Sequence, residues 1–158
     1  MKINYSKQNV TDNDIKSVVK VLKSNFLTQG PNIKLFEDKI KKIVHAKYAY
    51  AVNSATSGLH VACMSIGIAK NDIVWTSPNS FVASSNCALY CGAKIDFVDI
   101  DLKTYNLCSK KLEDKLKKTK KENLPKAIVL VHFAGYTEDL EKIKKLSIKY
   151  RFKIIEDA

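Results

Sequence analysis

Long apolar runs are missing from this 158-residue chain. Runs such as Ala49–Val52 and Ala127–Val131 fall far short of the roughly 20 residues that cross a bilayer as a helix. Met1–Val10 is polar and lacks the apolar stretch of a secretory signal, so a cytoplasmic protein without a membrane partner is expected. Cys63, Cys87, Cys91 and Cys108 form no C-x-x-C pair and share no metal-type spacing with His45, His60 or His132. That favours buried thiols in a reducing compartment over a zinc site or a disulfide framework, and no metal is expected. Arginine is nearly absent. Arg151 is the single one among 27 basic residues, which outnumber 16 acidic ones for a net charge of +11. Readers of nucleic acid lean on arginine for bidentate contacts, so no nucleic-acid partner is expected. In the densest run, Lys110–Lys121, Leu112 and Leu116 fall at i, i+4 with charge elsewhere, which describes a solvated helix face. Five glycines and three prolines leave no low-complexity linker. Neither G-x-x-x-x-G-K-[ST] nor G-x-G-x-x-G occurs, so a P-loop and a dinucleotide fingerprint both lose their support.

What is present alternates. The opening segment predicts a helix, with Thr11 as N-cap, Asp14 at the capping-box position, and Ile15, Val18, Val19 and Leu22 on one face. Gly30-Pro31 breaks the pattern after a loop, Asn25–Gln29, and a second helix carries Phe36, Ile40, Ile43 and Val44. Residues 1–47 thus read as a helical segment with a loop, and 48–158 as a separate part. Strands are expected at Tyr48–Val52, Asp72–Thr76, Lys94–Val98, Lys126–His132 and Lys153–Glu156. Helical patterns lie between them, at Ser57–Gly67, Ser80–Cys91, Ser109–Lys121 and Thr137–Tyr150; the last is acidic at its start and basic at its end. Hydrophobicity that is continuous along the strands predicts burial on both faces. The class is α/β: a mostly parallel sheet with helices on both faces.

In such sheets ligands sit beyond the carboxyl ends of the strands. After the first expected strand comes Asn53-Ser54-Ala55-Thr56-Ser57-Gly58, running into a helix. Hydroxyls and free N–H groups there suit an anion such as phosphate, although a plain Ser/Thr N-cap also accounts for them. After the second, Pro78 fixes a turn and Phe81 opens a helix, where its ring could stack on a planar ligand or pack in the core. Asp99 and Asp101 after the third suit a solvated turn better than a metal pair. His132 follows the fourth, whereas His45 and His60 lie on helices and read as structural. Asp157 tips the last strand, where a buried carboxylate is costly without a positive partner. A protonated pyridine nitrogen is such a partner. Together these residues outline a pyridoxal phosphate site.

With those residues in place, the chain resembles the N-terminal part of the DegT/DnrJ/EryC1/StrS sugar aminotransferases. The motifs are Leu27-Thr28-Gln29-Gly30-Pro31 with Phe36-Glu37, Asn53–Ser57, Thr76-Ser77-Pro78 with Phe81-Val82-Ala83, Asp96–Asp101, Val131–Gly135 and Ile155–Ala158. Asn53–Ser57, Trp75–Pro78 and Cys87–Ala93 are most similar to the branch active in pseudaminic acid biosynthesis. The resemblance implies part of the large domain of a fold-type I transferase that uses pyridoxal 5'-phosphate. Its partners would be a UDP-linked 4-keto-6-deoxy-N-acetylhexosamine, aminated at C4, glutamate as amino donor, and a second subunit in a homodimer. Ala55, Thr56 and Ser57 would hold the cofactor phosphate, Phe81 would stack on its ring, and Asp157 would pair with the ring nitrogen. Tyr5, Asn25, Phe26, Leu27, Thr28 and Ala55 would line the sugar-nucleotide pocket; the role of His132 stays open. The resemblance places the family's Schiff-base lysine in a segment beyond Asp157, and no lysine present is expected to stand in for it: Lys94, Lys126 and Lys153 begin strands and so lie at the opposite edge, and the helical lysines point to solvent. The expectation is therefore a fragment that is inactive alone, with a non-catalytic sugar-nucleotide-binding or assembly module, or half of a split enzyme, as the alternatives.

Overall fold

The computed structural model describes residues 7–137 and 139–158. The chain divides into two compact units, one ending at Ala51 and the other spanning Val52–Ala158.

The first unit holds two helices, α1 (Asp12–Leu22) and α2 (Pro31–Val44). Thr11 and Asp14 form the expected capping box: the Thr11 hydroxyl accepts the Asp14 N–H, and the Asp14 carboxylate accepts the Thr11 N–H at 2.7 Å. Those bonds hold the Asp14 carboxyl below its usual range. Pro31 opens α2, where a missing N–H costs nothing, and His45 ends it in a left-handed turn, φ 53°. Tyr48–Val52 is not a strand. A strand needs a ladder partner, and these residues pair with none among those described; the Ala51 N–H goes instead to Glu37 Oε1 at 2.9 Å.

The second unit runs α3 (Ala55–Ser65), β1 (Ile73–Thr76), α4 (Ala83–Tyr90), β2 (Lys94–Phe97), α5 (Ser109–Lys118), β3 (Ala127–Val131), α6 (Leu140–Tyr150), β4 (Lys153–Asp157). The strands lie in the order β2-β1-β3-β4, all parallel. Alternate side chains of the strands feed two cores. Val74, Ala127, Val129 and Ile155 pack with Leu59, Cys63, Cys87 and Ala88 of α3 and α4. Trp75, Ile128 and Leu130 pack with Leu112, Leu116, Ile143 and Leu146 of α5 and α6 on the opposite face. Each fully buried Val, Leu or Ile among them contributes about 1.5–3 kcal/mol relative to exposure. β3 is buried along its whole length, as its unbroken apolar run predicts. β2 is not: it is an edge strand, exposed at Lys94, Asp96 and Phe97, because a strand with one neighbour is covered less fully than a central one.

Leu112 and Leu116 of α5 turn inward as the i, i+4 spacing predicts. Lys115 departs from the solvated pattern. Its ammonium lies 4.5 Å from the Trp75 ring centroid and 2.6 Å from an Asp96 carboxylate oxygen. The four thiols are free; Cys63 and Cys87 are buried, Cys91 and Cys108 half-buried. A hydrogen bond to Cys87 together with burial pushes the Cys63 thiol well above its ordinary range, so it stays protonated. No helix among the described residues is long and apolar enough to cross a membrane.

Candidate functional site

The parallel arrangement collects the strand ends Thr76, Phe97, Val131 and Asp157 at one edge of the sheet. Lys126, by contrast, precedes β3 at the other edge, where its ammonium donates to the Gly67 carbonyl and to Asp72. Beyond β2, Asp99 accepts the Ile100 N–H and pairs with the Lys111 ammonium of α5, while Asp101 turns back on its own loop and accepts the N–H groups of Lys103 and Thr104.

The N-terminus of α3 meets the tip of β4 at this edge. Ala55, Gly58, Leu59 and Ala62 line one side of a hollow of about 210 Å³, and Ile155 through Ala158 line the other. The small residues of α3 leave the room. Ser54 caps the helix, its Oγ accepting the Ser57 N–H at 3.2 Å and lying 3.1 Å from the Ser57 hydroxyl. The Gly58 N–H is already bonded to the Ser54 carbonyl. The first turn therefore leaves the N–H groups of Ala55 and Thr56 without an intrahelical acceptor, at the positive end of the helix dipole. Ser57 is the one member of the expected anion-holding turn whose N–H is occupied by the cap.

Asp157 lines the same hollow. Its Oδ2 accepts the Ser84 hydroxyl at 2.6 Å, and Ser84 Oγ lies 2.6 Å from Ser80 Oγ. Ser84 is on α4 and 1% exposed. Phe81 does not line the hollow. It stands two residues before α4, 74% exposed, its carbonyl accepting the Ser84 N–H at 3.1 Å. Phe81 and Asp157 are thus both hydrogen-bonded to Ser84. Sequence reasoning passed over Ser84, whose acidic partner lies 73 positions away along the chain.

His132 goes elsewhere. Val131 pairs in register with Asp157, and Leu130 with Glu156, so His132 shares the face of Leu130. Its Nε2 lies 2.9 Å from Glu156 Oε2, on the α5–α6 side of the sheet and away from the Asp157 carboxylate. The loop that follows, including a left-handed Ala134 at φ 54°, is held by the buried Asn106. Asn106 Oδ1 accepts the Phe133 N–H at 2.8 Å, and its Nδ2 donates to the Tyr136 carbonyl at 3.0 Å.

Asn25, Phe26, Leu27 and Thr28 form the α1–α2 loop in the first unit. The Ser24 hydroxyl donates to the Phe26 carbonyl at 3.1 Å, and a Cβ at Gly30 would come 2.9 Å from Phe26 Cβ; only glycine fits under this loop. Tyr5 lies outside the described residues.

The chain has clear relatives. It is 40% identical, over 99% of its length, to the UDP-4-amino-4,6-dideoxy-N-acetyl-beta-L-altrosamine transaminase of Campylobacter jejuni, and spans 40% of that relative. It is 35% identical over 98% of its length to the spore coat polysaccharide biosynthesis protein SpsC of Bacillus subtilis, spanning 38% of it. Helicobacter pylori PseC, an aminotransferase involved in the biosynthesis of pseudoaminic acid, superposes with a TM-score of 0.89 at 32% identity, covering 100% of this chain and 42% of that one. The fold and its motifs agree with a family match that extends over residues 8–158, and the chain belongs to the DegT/DnrJ/EryC1/StrS aminotransferase family.

Proposed function

We propose that this chain supplies the cofactor-holding part of a pyridoxal 5'-phosphate-dependent aminotransferase. Its substrate would be a UDP-linked 4-keto-6-deoxy-N-acetylhexosamine, aminated at C4 with glutamate as donor. The observation that carries the reading is the hollow shared by the α3 N-terminus and the Asp157 carboxylate. One end of it is lined by Ala55, the first residue of α3, whose N–H has no intrahelical acceptor and lies at the positive end of the helix dipole, which suits a phosphate dianion. The other offers a carboxylate, which suits a protonated ring nitrogen. A phosphorylated pyridine needs both of these at once.

In this reading the Ala55 and Thr56 N–H groups and the Thr56 hydroxyl take the phosphate, Asp157 takes the ring nitrogen, and the exposed Phe81 ring covers one ring face. Ser57 contributes by rigidifying the turn through its bonds to Ser54. When bound, the cofactor supplies an electron sink for amino transfer; the Asp157 carboxylate keeps the ring nitrogen protonated. By the family resemblance, Tyr5, Asn25–Thr28 and Ala55 are each assigned to sugar-nucleotide binding. The substrate assignment is supported by the Campylobacter relative.

Isothermal titration with pyridoxamine 5'-phosphate tests the reading, because that form has no aldehyde to condense with the many surface lysines. The expected result is one saturable site, weakened at least tenfold by Asp157→Ala and competed by inorganic phosphate. Binding unchanged in Asp157→Ala would overturn the proposed site.

A further inference from the structure

The short polar chain behind Asp157 does more than fill space. A carboxylate only accepts hydrogen bonds, so at the 2.6 Å contact with Asp157 Oδ2 the donor is Ser84. A hydroxyl has one proton. With that proton committed, Ser84 accepts at its second contact, and Ser80, 2.6 Å away, donates. The direction is therefore fixed: Ser80 to Ser84 to Asp157. Ser84 is buried, so water does not compete for its hydroxyl. Its backbone N–H is tied to the Phe81 carbonyl, and its side chain bridges 73 positions of sequence to the tip of β4.

We propose that Ser84 is a positioning residue for the Asp157 carboxylate. It anchors Oδ2 and so presents Oδ1 to the N–H of a cationic heteroaromatic ring, at a spacing from Phe81 that its own backbone sets. This rests on the reading of Asp157 given above. An aspartate at a strand end has free χ1 and χ2 rotation, and a charge-assisted bond to a buried donor removes that freedom before the ligand arrives. Ser80 acts behind Ser84 by fixing the hydroxyl proton toward the acid.

The test compares pyridoxamine 5'-phosphate with its analogue carrying carbon in place of the ring nitrogen, each titrated into the 158-residue chain. The wild-type chain is expected to favour the nitrogen compound. Ser84→Ala should lose about tenfold in affinity for that compound, the scale of one hydrogen bond to a charged group, and almost nothing for the carbon analogue. Ser84→Thr, which keeps the hydroxyl, should restore the preference. Equal wild-type affinity for the two ligands would overturn the ring-nitrogen reading of Asp157 itself. A preference that survives in Ser84→Ala would overturn the positioning role alone. A second measurement needs no ligand: scalar couplings across χ1 of Asp157 should report one rotamer in the wild type and Ser84→Thr and averaging in Ser84→Ala. A single rotamer in Ser84→Ala refutes the proposal whatever the binding data show.

Discussion

Asn106 is the most informative place to perturb the second unit. It is 1% exposed and ties two loops at the carboxyl edge of the sheet. Its Oδ1 takes the Phe133 N–H at 2.8 Å, and its Nδ2 reaches the Tyr136 and Thr104 carbonyls at 3.0 and 3.3 Å. Asn106→Ala removes two well-formed bonds and one long one. A net hydrogen bond is worth about 0.5–1.5 kcal/mol, and a buried group left unpaired costs about 1–3 kcal/mol. The expected loss is about 2–4 kcal/mol, a large part of the roughly 5–15 kcal/mol typical of a domain. Trp75 is the single tryptophan, buried in the α5–α6 core, so urea unfolding followed by its fluorescence reads this unit directly. Asn106→Asp sharpens the test. It keeps the acceptor for Phe133 but sets a carboxylate against two carbonyls, so at pH 7 it should be at least as damaging. Part of the loss should return in acid, where a protonated carboxyl can donate. A loss under about 0.5 kcal/mol in Asn106→Ala would show that these backbone groups are served without the side chain, and the reasoning would fail.

Two further outcomes follow from the ion pairs and the close contacts. Burial raises the Asp72 pKa, but the Lys126 ammonium and the Ala69 N–H more than offset it and hold the carboxyl below its usual range. A depressed folded pKa gives stability that is present above the unfolded value near 4 and lost as pH falls through the folded one. Wild-type urea midpoints should therefore drop below about pH 4 more steeply than those of Asp72→Asn; parallel profiles would contradict the pairing. In the first unit, Gly30→Ala places a methyl 2.9 Å from Phe26 Cβ and should cost about 1–3 kcal/mol through overpacking, seen as a lowered helical melting midpoint by circular dichroism. A wild-type midpoint would show that the loop moves aside freely.

Much of this architecture is legible in the sequence because burial on two faces writes itself as an unbroken apolar run. Ala127–Val131 is such a run and is the central strand β3. Thr11 with Asp14 announces α1 for an equally local reason. Tyr48–Val52 misleads, because apolar composition says that a segment suits a ladder and nothing about whether a neighbour is there to complete it. Helix starts drift for a related reason. α4 begins at Ala83 rather than Ser80, and α6 at Leu140, with Asp139 as its cap, rather than at Thr137; small polar residues suit the turn before a helix as well as its first residues. At the candidate site, Ala55 is readable from the hydroxyl-rich helix start it opens, although no strand precedes it among the described residues, and Asp157 from its place at the tip of a strand. Ser84 and Asn106 are not, because their partners lie 73 and 27–30 positions away and only the folded sheet brings them close. His132 looked equivalent to Asp157 as a strand-end residue. The pleat sends the two to opposite faces, a distinction that turns on which inter-strand register is adopted.

The adjacent acids Glu156 and Asp157 therefore work as a two-sided key. One engages His132 on the far side of the sheet while the other engages Ser84 on the near side. Sliding β4 by one residue would exchange them and strand both partners, on top of misplacing Ile154 and Ile155. Single-residue insertions or deletions in this strand should accordingly be tolerated far less than in the exposed turn Lys121–Asn123, where no such lock exists among the described residues.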